Sequence, residues 1–94
     1  SYGSDLEKVE RVTLEVAREV VRDVVGEIPG FEPAVRYNAF GPSSVNFTVI
    51  LRIKEFAQQY VLKHEFIKRL HRRYAAEGIE IPFPITRVYL RKEE

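Results

Sequence analysis

The residues able to do chemistry are few, and their spacing argues against a reaction centre. His64 and His71 are the two histidines, and cysteine is absent. On a helix they share a face but stand two turns apart, roughly 10 Å of rise, too far to hold one metal ion. With no third His or Cys to complete a set, they read as surface or boundary residues rather than metal ligands. Ser43 and Ser44 would need a base and an orienting group to act as nucleophiles, and the neighbouring sequence offers neither. They fit a turn instead. The carboxylates fall mostly between positions 5 and 32 among arginines, where pairs such as Glu7 with Arg11 give i,i+4 support to a helix. No glycine-rich phosphate loop is present. The expectation is a protein that is not an enzyme and uses no metal or cofactor.

The elements that would carry these residues belong to one small domain. At 94 residues, 45% hydrophobic and 31% charged, the chain has material for one core. Residues 1–53 carry 6 basic and 8 acidic groups and residues 54–94 carry 9 and 6, a mild asymmetry within a net charge of +1. Neither half has the charge of a nucleic-acid binder. No apolar run exceeds three residues, so no transmembrane helix or signal peptide is expected. Methionine is missing, even at position 1, which reads as a domain taken from a longer protein.

Ser4-Asp5-Leu6-Glu7 has capping-box spacing, and a helix should follow. Leu6, Val9, Val12, Val16, Val20, Val21 and Val24 recur at three- and four-residue spacing, and this periodicity outweighs the poor helix propensity of valine. Gly26 and the segment Ile28–Pro33 end it. Ala34–Phe40 alternates, Gly41–Ser44 turns, and Val45–Ile53 alternates again with Val45, Phe47, Val49, Leu51 and Ile53 on one side, predicting an antiparallel hairpin. Phe56–Glu77 predicts a second helix with Leu62, Phe66, Ile67, Leu70 and Tyr74 as its apolar stripe, closed by Gly78. Pro82 and Pro84 enforce an extended segment, and Ile85–Leu90 predicts a last strand before a frayed tail at 91–94.

This α-β-β-α-β order predicts an α+β fold: a ferredoxin-like α/β plait lacking its first strand, with two helices on one face of a mainly antiparallel sheet. Lys63, Lys68, Arg69, Arg72 and Arg73 make the second helix basic, read as a solvated face. The sheet face bearing Asn46, Thr48, Ile50 and Arg52 is too plain to stack bases, so no nucleic-acid partner is expected. Phe40, Ile50, Phe83 and Pro84 lie where the core does not need them and suggest a subunit interface.

Three segments, Tyr2-Gly3-Ser4-Asp5-Leu6-Glu7-Lys8-Val9, Phe40-Gly41-Pro42-Ser43-Ser44-Val45-Asn46-Phe47 and Gly78-Ile79-Glu80-Ile81-Pro82-Phe83-Pro84, taken in order, resemble the signatures of the C-terminal cytosolic domain of small-conductance mechanosensitive ion channels. The resemblance implies a homoheptameric, tension-gated channel of the inner membrane, multi-pass, whose C-terminal domains build a cytoplasmic vestibule crossed by ions and small solutes. It divides the chain into a vestibule domain, 1–84, and a strand and tail, 85–94, given to an intersubunit barrel or a swap. It thereby extends the candidate interface to Phe40, Ile50, Pro82, Phe83, Pro84, Ile85, Val88 and Leu90. The family often has Gln where Ile85 stands, and a Trp that this chain lacks. A plait without its first strand exposes the edge of a central strand, and the expectation is that Ile85–Leu90, or a partner's strand, pairs there. The alternative function is a ferredoxin-like regulatory module that binds a small ligand.

Overall fold

The computed structural model describes residues 6–39, 45–80 and 85–92. The elements are α1 (Leu6–Val24), β1 (Ala34–Ala39), β2 (Val45–Ile53), α2 (Gln58–Glu77) and β3 (Ile85–Lys92), the expected α-β-β-α-β order. Ser4 of the capping box, the turn at 41–44 and the proline segment at 81–84 lie outside the described residues.

Burial explains why a valine-rich segment is helical. Val9, Val12, Val16, Val20 and Val21 are buried with Thr13 and Ala17 on one side of α1. Burying a valine fully gains about 1.5–3 kcal/mol, while its helix-propensity penalty is at most about 0.7 kcal/mol. The stripe therefore wins. The helix ends where the amides of Val25 and Gly26 both donate to the Val21 carbonyl, at 2.8 and 2.9 Å, and Gly26 takes a φ of +109°.

β1 and β2 form the antiparallel hairpin, with Val35 opposite Val49 and Tyr37 opposite Phe47. β3 of the same chain fills the second edge of β2, giving the order β1-β2-β3. It runs parallel to β2, with Val49 aligned to Val88 and Leu51 to Leu90. A strand returning through a helix to its neighbour's side must run parallel to it, so the sheet is mixed: one antiparallel and one parallel pairing. Arg91 and Lys92, expected to fray, extend β3 beside Arg52 and Ile53. The Lys92 ammonium also lies 4.8 Å from the centre of the Phe56 ring, which helps hold that end.

α2 starts at Gln58, two residues later than expected. Gln58 Oε1 accepts hydrogen bonds from the amides of Lys54 and Glu55, both at 2.9 Å, so the preceding turn closes on the helix's first side chain. Gly78 ends α2 in the left-handed region (φ 70°, ψ 26°), and the Ile79 amide bonds the Tyr74 carbonyl at 2.9 Å. Leu62, Phe66 and Leu70 of α2 join Val49, Leu51 and Ile53 of β2 and the α1 valines in one core.

One polar link crosses that core. Thr13 Oγ1 donates to the Val9 carbonyl at 2.7 Å, which uses its only proton, so it accepts from the Tyr74 hydroxyl. Burial pushes the Tyr74 hydroxyl up to about 12, against the opposing pull of the Thr13 bond. Phe66→Ala should cost about 3–5 kcal/mol by urea denaturation. Thr13→Val leaves the Tyr74 hydroxyl without its acceptor and should cost about 1–3 kcal/mol. Because the native value for Tyr74 is raised from 10.0, its neutral form stabilises the fold fully below pH 10, and this contribution is lost as pH rises toward 12. Tyr74→Phe should therefore lessen the stability lost between pH 10 and 12 in alkaline denaturation.

Candidate subunit interface

The alternation of β2 divides the sheet into a face under the helices and a helix-free face, on which Thr48 is still buried. Val49, Leu51 and Ile53 point to the helices and are buried. On the other face Ile50 is half-buried, paired across β1 with Ala34 and aligned along β3 with Tyr89. Beside it the Arg52 guanidinium sits 5.5 Å from the centre of the Phe31 ring.

The residues expected to form an interface do not all come together. Ile50 is on the helix-free face. Leu90 is half-buried and packs against the core of its own chain. Ile85 and Val88 are register partners of Phe47 and Val49. Phe40, Pro82, Phe83 and Pro84 lie outside the described residues. His64 and His71 are both exposed on α2, and no group of three potential metal ligands occurs among the described residues. Ser43 and Ser44 also lie outside them.

Two apolar assignments change. Ile67, expected in the α2 core stripe, is 45% exposed, and Leu6 of the α1 stripe is 38% exposed. Ile67 belongs with Phe56, Tyr60 and Val61, which are also exposed. The geometric reason is that Leu62, Phe66 and Leu70 already fill the space over β2, leaving Ile67 one helical step outside the contact.

Charge pairing across the helices is the feature that sequence reasoning missed. Arg11 pairs with Glu15 at 3.3 Å, not with Glu7 as expected. Arg73 joins Glu15 of α1 to Glu77 of its own helix, the latter at 3.0 Å. Arg69 reaches Glu19 at 3.0 Å, Asp23 at 2.8 Å and Glu65 at 3.4 Å. Lys8 donates to the Glu77 carbonyl at 3.0 Å and lies 3.7 Å from its carboxylate. So Arg69 and Arg73 belong to the joint between the helices, not to a solvated basic face. The available signal was matched four-residue spacing: Glu15, Glu19 and Asp23 on α1, Arg69 and Arg73 on α2.

These contacts hold the Glu15 and Glu77 carboxyls below their ordinary range, chiefly through hydrogen bonds from Arg73. The Arg69 hydrogen bond does the same for Asp23, and the nearby Lys68 charge for Glu65. A lowered native pKa adds stability that is complete above the unfolded carboxylate range near pH 4 and disappears as pH falls through the native values. Urea midpoints should therefore drop between pH 7 and pH 3. The drop should shrink in the Arg69→Gln/Arg73→Gln double variant, and it should also shrink in wild type as salt is raised, because the pairs are solvent-exposed and screened.

The described helices include none long and apolar enough to cross a membrane. No curated protein and no solved structure matches the chain. The family model described as "Mechanosensitive ion channel MscS, C-terminal" matches residues 1–81, covering α1, β1, β2 and α2 and ending before β3. With most of its length inside that match, the chain belongs to the MscS mechanosensitive channel C-terminal domain family.

Proposed function

We propose that this domain is the vestibule wall and assembly module of a tension-gated, small-conductance mechanosensitive channel, acting by self-association and passage of solutes rather than by catalysis. The observation that carries the reading is the family match over residues 1–81, in a chain whose described residues form an α+β unit with a helix-free sheet face. The parent is a multi-pass protein of the inner membrane with this domain on its cytoplasmic side. In the parent, identical subunits form a heptamer that responds to osmotic stress by passing ions and small solutes.

The surfaces that meet include Ile50 on the helix-free face, together with Phe40, Pro82, Phe83 and Pro84. Residues 85–94 act as the exchangeable part, through Ile85, Val88 and Leu90. In the folded chain β3 meets the rest of the molecule chiefly through β2, so replacing one strand pairing with another leaves the helix layer intact.

Sedimentation of the chain over a range of concentrations tests the assembly reading. A mass that rises to a defined multiple of the monomer is expected, and Ile50→Asp should weaken that association by tenfold or more, because it places a carboxylate in the contact (about 1.4 kcal/mol or above). A monomer at every concentration would count against the reading. The competing reading, a ligand-binding regulatory module, predicts thermal stabilisation by some amino acid or nucleotide, about 2.7 kcal/mol at 100 times its dissociation constant. No such shift is expected.

A further inference from the structure

The three strands carry charge of one sign only. β1, β2 and β3 contain Arg36, Arg52, Arg87, Arg91 and Lys92 and no aspartate or glutamate. Pairing sorts these residues between the two faces of the sheet. Arg36 is the register partner of Thr48, which is aligned along its other edge with Arg87, and Arg52 is aligned with Arg91. Val49, Leu51 and Ile53 take the helix side, so Thr48 and Arg52, and with them the four arginine positions, belong to the helix-free face. Lys92, aligned with Ile53, does not.

In a chain of net charge +1, four arginines on one face are a local excess. Arg36 and Arg91 are exposed and have no ion-pair partner among the described residues. Arg52 is half-buried, and its guanidinium is seated over the Phe31 ring, 5.5 Å from the centre, which restricts its motion. The acid next to Phe31, Glu32, is turned to Arg18 at 3.2 Å.

Arg52 and Arg91 stand on neighbouring strands, about 4.8 Å apart across the pairing. Like charges in that relation cost stability, and an anion lying between them reverses the sign of the interaction. The second row, Arg36 with Arg87, is four residues away along β2, roughly 13 Å at about 3.3 Å per residue.

We infer that the helix-free face binds a linear phosphate chain, inorganic polyphosphate, held at one row by Arg52 and Arg91 and at the other by Arg36. The planar fork of a guanidinium matches the oxygens of a phosphate, and successive phosphates bring negative charge to both rows. Thr48 and Ile50, the described side chains between the rows, offer no ring on which a base could stack, so a plain phosphate chain fits better than a nucleic-acid strand. The inference does not depend on the assembly reading, and a chain bound there competes with a contact made through Ile50.

Equilibrium binding of long-chain polyphosphate to the chain at low salt tests this, with inorganic phosphate and single-stranded RNA as comparison probes. Polyphosphate should bind at least tenfold more tightly than inorganic phosphate, because only a chain reaches both rows. Affinity should fall steeply as salt is raised. Arg36→Gln/Arg91→Gln should weaken binding tenfold or more. Lys63→Gln/Arg72→Gln, which removes the same charge from exposed positions on α2, should stay within twofold of wild type. All four positions are exposed, and unchanged far-UV circular dichroism is the folding control. Equal losses in the two double variants would overturn the inference in favour of general charge attraction. RNA binding as tight as that of polyphosphate would overturn the choice of ligand, and absence of polyphosphate binding at low salt would overturn the site altogether. None of these outcomes decides the assembly reading, which sedimentation without polyphosphate tests separately.

Discussion

The fold depends on β2 being wanted on three sides at once. Its two edges pair with β1 and β3, and its alternate side chains Val49, Leu51 and Ile53 are sealed under both helices. A strand in that position has no freedom of register, because a slip of one residue would turn Ile50 and Arg52 toward the helices in place of Val49, Leu51 and Ile53. The hairpin, the parallel return of β3 and the seat for Phe66 all follow from this constraint.

The helix layer is held by two kinds of interaction, and they carry different weight. Apolar contact among the α1 valines, Leu62, Phe66 and Leu70 supplies the larger share, since each buried side chain contributes about 1.5–3 kcal/mol. The ion pairs from Arg69 and Arg73 are exposed and individually weak, but they fix the register of α2 along α1. The Thr13–Tyr74 hydrogen bond does the same inside the core, where a misplaced partner would leave a buried hydroxyl unsatisfied.

Periodicity made much of this legible in advance. Val45 to Ile53 alternates so cleanly that β2 and its buried face follow directly, and the spacing of Val9, Val12, Val16 and Val20 marks the helix despite poor propensity. The capacity of the core was not legible. Ile67 has the right spacing for the α2 stripe, yet Leu62, Phe66 and Leu70 had already used the room, a three-dimensional fact that a helical pattern does not contain. The pairing of Arg73 with Glu15 was hidden for a similar reason: residues 58 apart in sequence become neighbours only once both helices are placed. The sense of the β2–β3 pairing depended on which strand lay beside β2, and so on an edge that the pattern of β3 alone does not identify.

The candidate interface was read more from family resemblance than from residue chemistry, and the structure adds a helix-free sheet face carrying Ile50 to it. The proposed role is to hold copies of the domain around a passage. The most direct measurement is tension-activated current in membrane patches carrying the full-length parent, with these 94 residues present or deleted. The account predicts that deletion reduces current together with the number of assembled channels. Undiminished current from correctly assembled channels lacking the domain would contradict it.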